Sequence, residues 1–199
     1  MKSYDEKYFR RWYRDALSRI THPAERARRV NMAVAVTEYV LGRRLRSVLD
    51  VGCGEGRWRL VLRRARPSLR YVGVDSSEYV VRRFGRTRGI IMGTFAQLDR
   101  DAPKRKFDLV VASDVLHYLG KEELEQGAKA LACRVGGIAY LDFFTSRDVV
   151  EGDLNGMMLR SPDYYVRLMR RNGLRHLGMH FFAPRSVFLE LGGMERHHG

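Results

Sequence analysis

Arg46-Ser-Val-Leu-Asp-Val-Gly-Cys-Gly-Glu-Gly-Arg57 is the stretch from which the fold of this 199-residue chain is read. Val48, Leu49 and Val51 form a short apolar run, which predicts a strand buried on both faces. Gly52, Gly54 and Gly56 follow it directly, so the strand ends in a glycine-rich turn. Beyond the turn, Trp58, Leu60, Val61, Leu62 and Ala65 recur at mixed three and four spacing with arginines between them, the pattern of an amphipathic helix lying on a sheet. Strand, glycine turn and helix make one half of a nucleotide-type site. Glycine, lacking Cβ, takes positive φ and lets the backbone approach a ligand, while the helix N-terminus offers free N–H groups.

The spacing narrows the ligand. A dinucleotide fingerprint needs a third glycine at position 57, where Arg57 stands, and a P-loop needs Gly-Lys-Ser/Thr where the chain has Gly56-Arg57-Trp58. NAD, FAD and P-loop ATP binding are thereby disfavoured. Asp50 at the strand end is placed to accept hydrogen bonds from loop N–H groups and hold the turn. Leu69 to Val74 predicts a second strand ending in Asp75-Ser76-Ser77, where an acid can take both hydroxyls of a ribose. Leu109 to Ala112 predicts another buried strand, opening at Ser113-Asp114-Val115 into the same crevice.

On three motifs in this order, Val48-Leu-Asp-Val-Gly-Cys-Gly-Glu-Gly56, Gly73-Val-Asp75-Ser and Phe107-Asp-Leu-Val-Val-Ala-Ser-Asp-Val-Leu116, the chain resembles the class I S-adenosylmethionine-dependent methyltransferases over roughly residues 45 to 145. The resemblance implies an α/β, Rossmann-like, doubly wound seven-stranded sheet, mostly parallel with the last strand inserted antiparallel, and S-adenosylmethionine as cofactor. It implies cofactor contacts from Asp50, Gly52, Cys53, Gly54, Gly56, Asp75 and Ser76, and from Ser113, Asp114 and Val115. Where relatives commonly carry an adenine-binding acid, this chain has Thr94-Phe95-Ala96. Thr94 and the Phe95 ring are then the candidates for the base, with Gln97 and Asp99 as polar alternatives.

Length and composition bound the rest. One domain is expected, with residues 1–44 as a helical lid, 45–145 as the cofactor-binding core and 146–199 as a substrate loop and closing hairpin. No apolar run approaches the ~20 residues of a membrane span and the start lacks a signal peptide's apolar core, so a cytoplasmic protein without a membrane partner is expected. Cys53 and Cys133 suggest neither a disulfide nor a metal site and are read as packed thiols. The net charge of +14 comes from 31 arginines and 6 lysines spread along the whole chain, which leaves a nucleic-acid partner open without pointing to one surface.

Around the core, Tyr4, Tyr8, Phe9, Trp12 and Tyr13 predict a helix over residues 5–18 with an aromatic face, either packed on the sheet edge or closing over a cofactor sulfonium. His22-Pro23 breaks it, and a helix from Ala24 to about Leu41 stops at Gly42. Ser76 to Phe84 predicts a helix capped by Ser76 or Ser77 with Gly85 past its end, and Gly89 to Gly93 a short strand. Asp101 to Lys106 reads as a solvated loop, and a helix follows from Gly120 to about Cys133. Gly136-Gly137 predicts a tight turn into a strand Ile138 to Phe144. Thr145 to Arg160, with Asp148, Glu151, Asp153 and Met157, is a long loop at the site's edge. Ser161-Pro162 starts a helix to Arg171, and Leu174 to Phe182 with Ser186 to Leu191 predict two strands joined through Ala183-Pro-Arg185. His197-His198 reads as a frayed tail.

Alignment of donor and acceptor is most of what methyl transfer requires. The reading is O- or N-methylation of a small molecule held by Tyr8, Trp12, Tyr13, Asp142, Phe144 and Met157, with His117 as general base and Tyr118 beside it. The alternatives are an RNA methyltransferase, although Ser113-Asp114-Val115-Leu116 stands where base-amine enzymes carry Asn/Asp-Pro-Pro-Tyr, and a catalytically silent cofactor-binding protein.

Overall fold

Five consecutive buried residues, Ser47–Val51, form the central strand β1 of a seven-stranded sheet. In the computed structural model, which describes residues 4–15, 21–150 and 153–195, the chain continues as α3 (Arg57–Ala65), β2 (Arg70–Asp75), α4 (Glu78–Arg88) and β3 (Ile90–Met92). It then forms α5 (Leu98–Asp101), β4 (Phe107–Ser113), α6 (Lys121–Arg134), β5 (Val135–Asp142), α7 (Pro162–Arg171), β6 (Leu174–Gly178), β7 (Phe181–Pro184) and α8 (Arg185–Glu195). Two helices, α1 (Glu6–Phe9) and α2 (Pro23–Leu41), precede the sheet. The strand order is β3-β2-β1-β4-β5-β7-β6, parallel from β3 to β5, with β7 antiparallel to both its neighbours. This is the expected doubly wound sheet with its inserted antiparallel strand.

Strand alternation distributes the core over two faces. Val48, Leu109, Val111, Ile138 and Tyr140 meet Val30, Ala33 and Val34 of α2 and Trp58 and Leu62 of α3. Leu49, Val110, Ala112, Ala139 and Leu141 meet Leu124, Ala128 and Leu131 of α6 and Tyr165 and Met169 of α7. Because β1 is covered on both sides, it is apolar at every position but Ser47 and Asp50. The chain leaves β1 towards β2 on one side and returns to β4 on the other, so a crevice opens at the C-terminal ends of β1 and β4.

Several boundaries differ from the sequence expectation. The N-terminal helix is a single turn, α1, that widens into a π-helical turn Arg10–Arg14 and gives way to extended backbone at Asp15; residues 16–18 of the expected helix, like Glu151 and His197-His198, lie outside the described residues. α4 passes through Gly85 and stops at Gly89, whose φ is 65°. Gly85 serves proximity instead, since a Cβ there would lie 2.9 Å from the Ile90 carbonyl oxygen. Gly136 and Gly137 lie within β5 and form no turn. A Cβ at Gly137 would come within 2.6 Å of the Asp108 carbonyl oxygen, beside the irregular register between Phe107 and Leu109. The closing hairpin turns at Met179 and His180, with φ of 48° and 66°, the left-handed pair that suits a two-residue turn. Ser186 to Leu191 is therefore helix α8 and no strand. Asp101 ends a short helix, and Cys133 is exposed.

Candidate active site

The glycine turn after β1 is tied to β2 and to the loop after β4. Gly52 and Cys53 donate their backbone N–H to the Val74 carbonyl at 2.8 and 3.2 Å, and Gly54 donates to Asp75 Oδ2 at 2.7 Å. Asp75 Oδ1 accepts from the Ser77 N–H at 2.9 Å, and the Ser77 hydroxyl caps α4. Gly52, at φ 67°, packs so closely that a Cβ would fall 2.3 Å from Val115 Cγ2. Burial pushes the Asp75 carboxyl above its ordinary range, against the lowering effect of its two backbone donors.

Asp50 holds the turn differently from the expectation. It accepts from the Tyr71 hydroxyl at 2.6 Å, and the loop N–H groups bond Val74 and Asp75 instead. Its complete burial pushes the carboxyl up to about 7. Burial also raises the Cys53 thiol well above its usual range, so Cys53 is a packing group against Gly73.

Two adjoining chambers occupy the crevice. The larger, of about 400 Å³, has Asp75, Ser76, Thr94, Phe95 and Val115 in its wall, with Tyr4, Tyr8 and Met158 above. The smaller, of about 130 Å³, is lined by Asp50, Cys53, Ser113, Asp142 and His117, by Phe144, Asp153 and Met157, and by Arg26 and Arg29 from α2. Phe9, Tyr13, Gly52, Gly54, Asp114 and Tyr118 border both.

Most expected site residues converge here, and several do not act as expected. Gly56 opens α3 at φ 67° and faces Ile90 and Arg88, outside both chambers. Trp12 lines neither, and the Arg11 guanidinium lies 4.7 Å from its ring centre. The Phe95 ring is buried over Gly127, so Phe95 walls the chamber without offering a free stacking face. His117 is fully buried, and its Nδ1 accepts the Phe144 N–H at 3.2 Å. A neutral ring on this network carries its proton on Nε2, so no lone pair remains to act as a base. Gln97 and Asp99 also lie outside both chambers.

Tyr118 donates its hydroxyl to the Asp153 carbonyl at 2.9 Å, and burial with the nearby Asp114 charge holds its phenol protonated. Asp142 receives Arg29 at 2.7 Å and the Ser113 hydroxyl at 3.1 Å. Sequence reasoning missed Arg26 and Arg29, and also buried Glu55, which takes Arg14 at 2.9 Å and Arg57 at 3.1 Å. Glu55 lay within the quoted glycine stretch, but its partners are set by tertiary contact. Among the described residues no cluster of His, Cys, Asp and Glu is arranged to hold a metal.

The family model described as "Methyltransferase domain" matches residues 4–186. The chain belongs to this methyltransferase family. With the sheet topology above, the protein is a class I S-adenosylmethionine-dependent methyltransferase. No curated protein matches this methyltransferase significantly. Among solved structures, DesVI of Streptomyces venezuelae superposes with a TM-score of 0.62 at 16% identity, over 81% of this chain and 90% of its own. The magnesium protoporphyrin IX methyltransferase ChlM of Synechocystis PCC 6803, solved with bound SAH, gives 0.57 at 18% over 86% of each chain. The [4+2]-cyclase SpnF gives 0.59 at 18% over 84% of this chain and 63% of its own. At these identities the superpositions support the fold of the methyltransferase and nothing about its acceptor.

Proposed function

We propose that the protein methylates a small molecule on nitrogen or oxygen, the acceptor lying in the smaller chamber. The observation that carries this reading is the small size of that chamber. Phe9, Tyr13, Phe144, Asp153 and Met157 line a space of about 130 Å³, enough for a reacting group.

The larger chamber fits the cofactor. Each Asp75 oxygen spends one lone pair on a backbone donor and keeps another for a ribose hydroxyl. The backbone at Gly93 to Phe95 and the Val115 side chain wall the position for a base, and Tyr4 and Tyr8 line the same chamber. S-adenosylmethionine supplies, when bound, a methyl group already activated on a sulfonium. The chain's own residues then hold donor and acceptor in line and keep the space dry.

Of the arginines lining the smaller chamber, Arg29 and Arg57 are paired with Asp142 and Glu55. Arg44, Arg46, Arg66 and Arg70 line an open groove at the N-terminal ends of β1 and β2, the opposite end of the sheet from the chambers. Among the described residues no helix is long and apolar enough to cross a membrane.

Labelled S-adenosylmethionine offered with a panel of small amines, phenols and alcohols, and in parallel with total RNA, tests the reading. Label in a small molecule is the expected result. Label in RNA together with steeply salt-dependent RNA binding would overturn it.

A further inference from the structure

Asp114 is the acid that borders both chambers. It follows β4 directly with φ 61°, a left-handed conformation that few side chains adopt, fixed by its own N–H donating to the Asp142 carbonyl at 2.9 Å. Its Oδ2 accepts the Tyr13 hydroxyl at 3.4 Å. Its Oδ1 lies 3.1 Å from His117 Nε2, the ring nitrogen that carries the proton, yet the two are misaligned and both atoms are buried without a hydrogen bond.

The other acids of the smaller chamber differ in this respect. Glu55 is neutralised by Arg14 and Arg57, Asp142 by Arg29, and Asp50 is bonded to Tyr71. Asp153 borders the smaller chamber alone. No arginine or lysine among the described residues pairs with Asp114, so its charge is compensated only by the polar edges of Tyr13 and His117. The rings of Phe9, Tyr13 and Tyr118 stand around the same junction, and their faces favour a cation.

Resting on the methyltransferase reading above, we propose that Asp114 is the specificity-determining residue for a basic amine acceptor, its carboxylate holding the nitrogen cation at the wall between the two chambers. An acceptor that arrives as an ammonium first gives up a proton, and the carboxylate receives it and passes it to solvent. The amine lone pair then forms the new N–C bond while the electrons of the S–C bond pass to sulfur. Once that proton has left, one positive charge leaves sulfur and one appears on nitrogen, so Asp114 faces a single cation during the transfer itself. A phenolate or carboxylate acceptor would meet like charge at this point.

Calorimetry with two probes tests the assignment without knowledge of the natural acceptor: S-adenosylhomocysteine, and sinefungin, which carries an ammonium where the sulfonium methyl would be. Asp114→Asn is the variant, since asparagine tolerates the left-handed backbone and can still accept from Tyr13. The parent protein should prefer sinefungin, and the variant should lose about tenfold or more of that preference, read as the ratio of the two affinities so that a loss common to both probes cancels. An unchanged preference overturns the proposal and leaves the methyltransferase reading standing. Failure of the parent to bind either probe overturns the cofactor site itself. In the acceptor panel, methylation of phenols or carboxylates in preference to amines also overturns the role of Asp114.

Discussion

Asp75 at the end of β2 accepts the backbone N–H of Gly54 at 2.7 Å, so the second acid of the site and the glycine turn after β1 form one unit. Its other oxygen takes the Ser77 N–H at 2.9 Å, which carries the same constraint into the start of α4. A single carboxylate therefore shapes the turn and faces the larger chamber.

Replacing Asp75 with alanine removes both bonds and the ribose acceptor together. Cofactor affinity should fall by about 1.5 to 3 kcal/mol, the usual contribution of a charge-assisted hydrogen bond. Titration calorimetry with S-adenosylmethionine reads this directly. Undiminished affinity would show that the ribose is held elsewhere.

Asp50 makes stability depend on pH. Its folded carboxyl is pushed up to about 7 by burial, whereas the unfolded chain ionises near the ordinary value of about 3.9. Between those values the unfolded state has lost a proton that the folded state keeps, so stability falls as pH rises through about 4 to 7 and then levels. The window amounts to about 4 kcal/mol at most. Asp50→Asn keeps an acceptor for Tyr71 and removes the titration, so urea unfolding at pH 5 and pH 8 should show a flatter dependence and a more stable protein at pH 8. Parallel profiles for parent and variant would contradict the assignment.

Gly52→Ala should destabilise the protein by about 1 to 3 kcal/mol through two causes, the left-handed backbone at φ 67° and the contact of 2.3 Å with Val115. Val115→Ala in the same chain relieves the second cause and not the first. Thermal unfolding of the single and double variants should thus show partial recovery. Full recovery would assign the whole cost to packing, and none would assign it to the backbone.

The order of strands and the glycine turn were legible because local chemistry dictates them. A parallel strand covered on both faces needs a mostly apolar run such as Val48, Leu49 and Val51, and a sharp turn at positive φ needs glycine at Gly52 and Gly54. Helix ends at Gly42 and Ser161 followed from capping for the same reason. Where one residue type serves two purposes, the sequence was ambiguous. Gly85, Gly136 and Gly137 read as stops or turns, but they provide close approach between a helix or strand and its neighbour's backbone. The turn at Met179-His180 lacks the Asn-Gly signal that marks such hairpins, which displaced the last strand into what is α8.

The candidate site divides in the same way. Asp75, Gly52 and Gly54 belong to short-range motifs whose spacing reports their place, so the sequence alone pointed to the proposed cofactor side and to the family that the family model shows. The ring nitrogen that His117 uses as acceptor is set by the Phe144 N–H, 27 residues away, and the neutralisation of Asp142 by Arg29, 113 residues away. Such pairs leave no periodic trace in the chain. Only the tertiary structure decided that His117 has no free lone pair, that Asp142 is already paired, and that Asp114 stands between the two chambers with its charge unmatched by any arginine among the described residues. Charge compensation and hydrogen-bond direction are set by distances across the folded core, and no local pattern of residues encodes them.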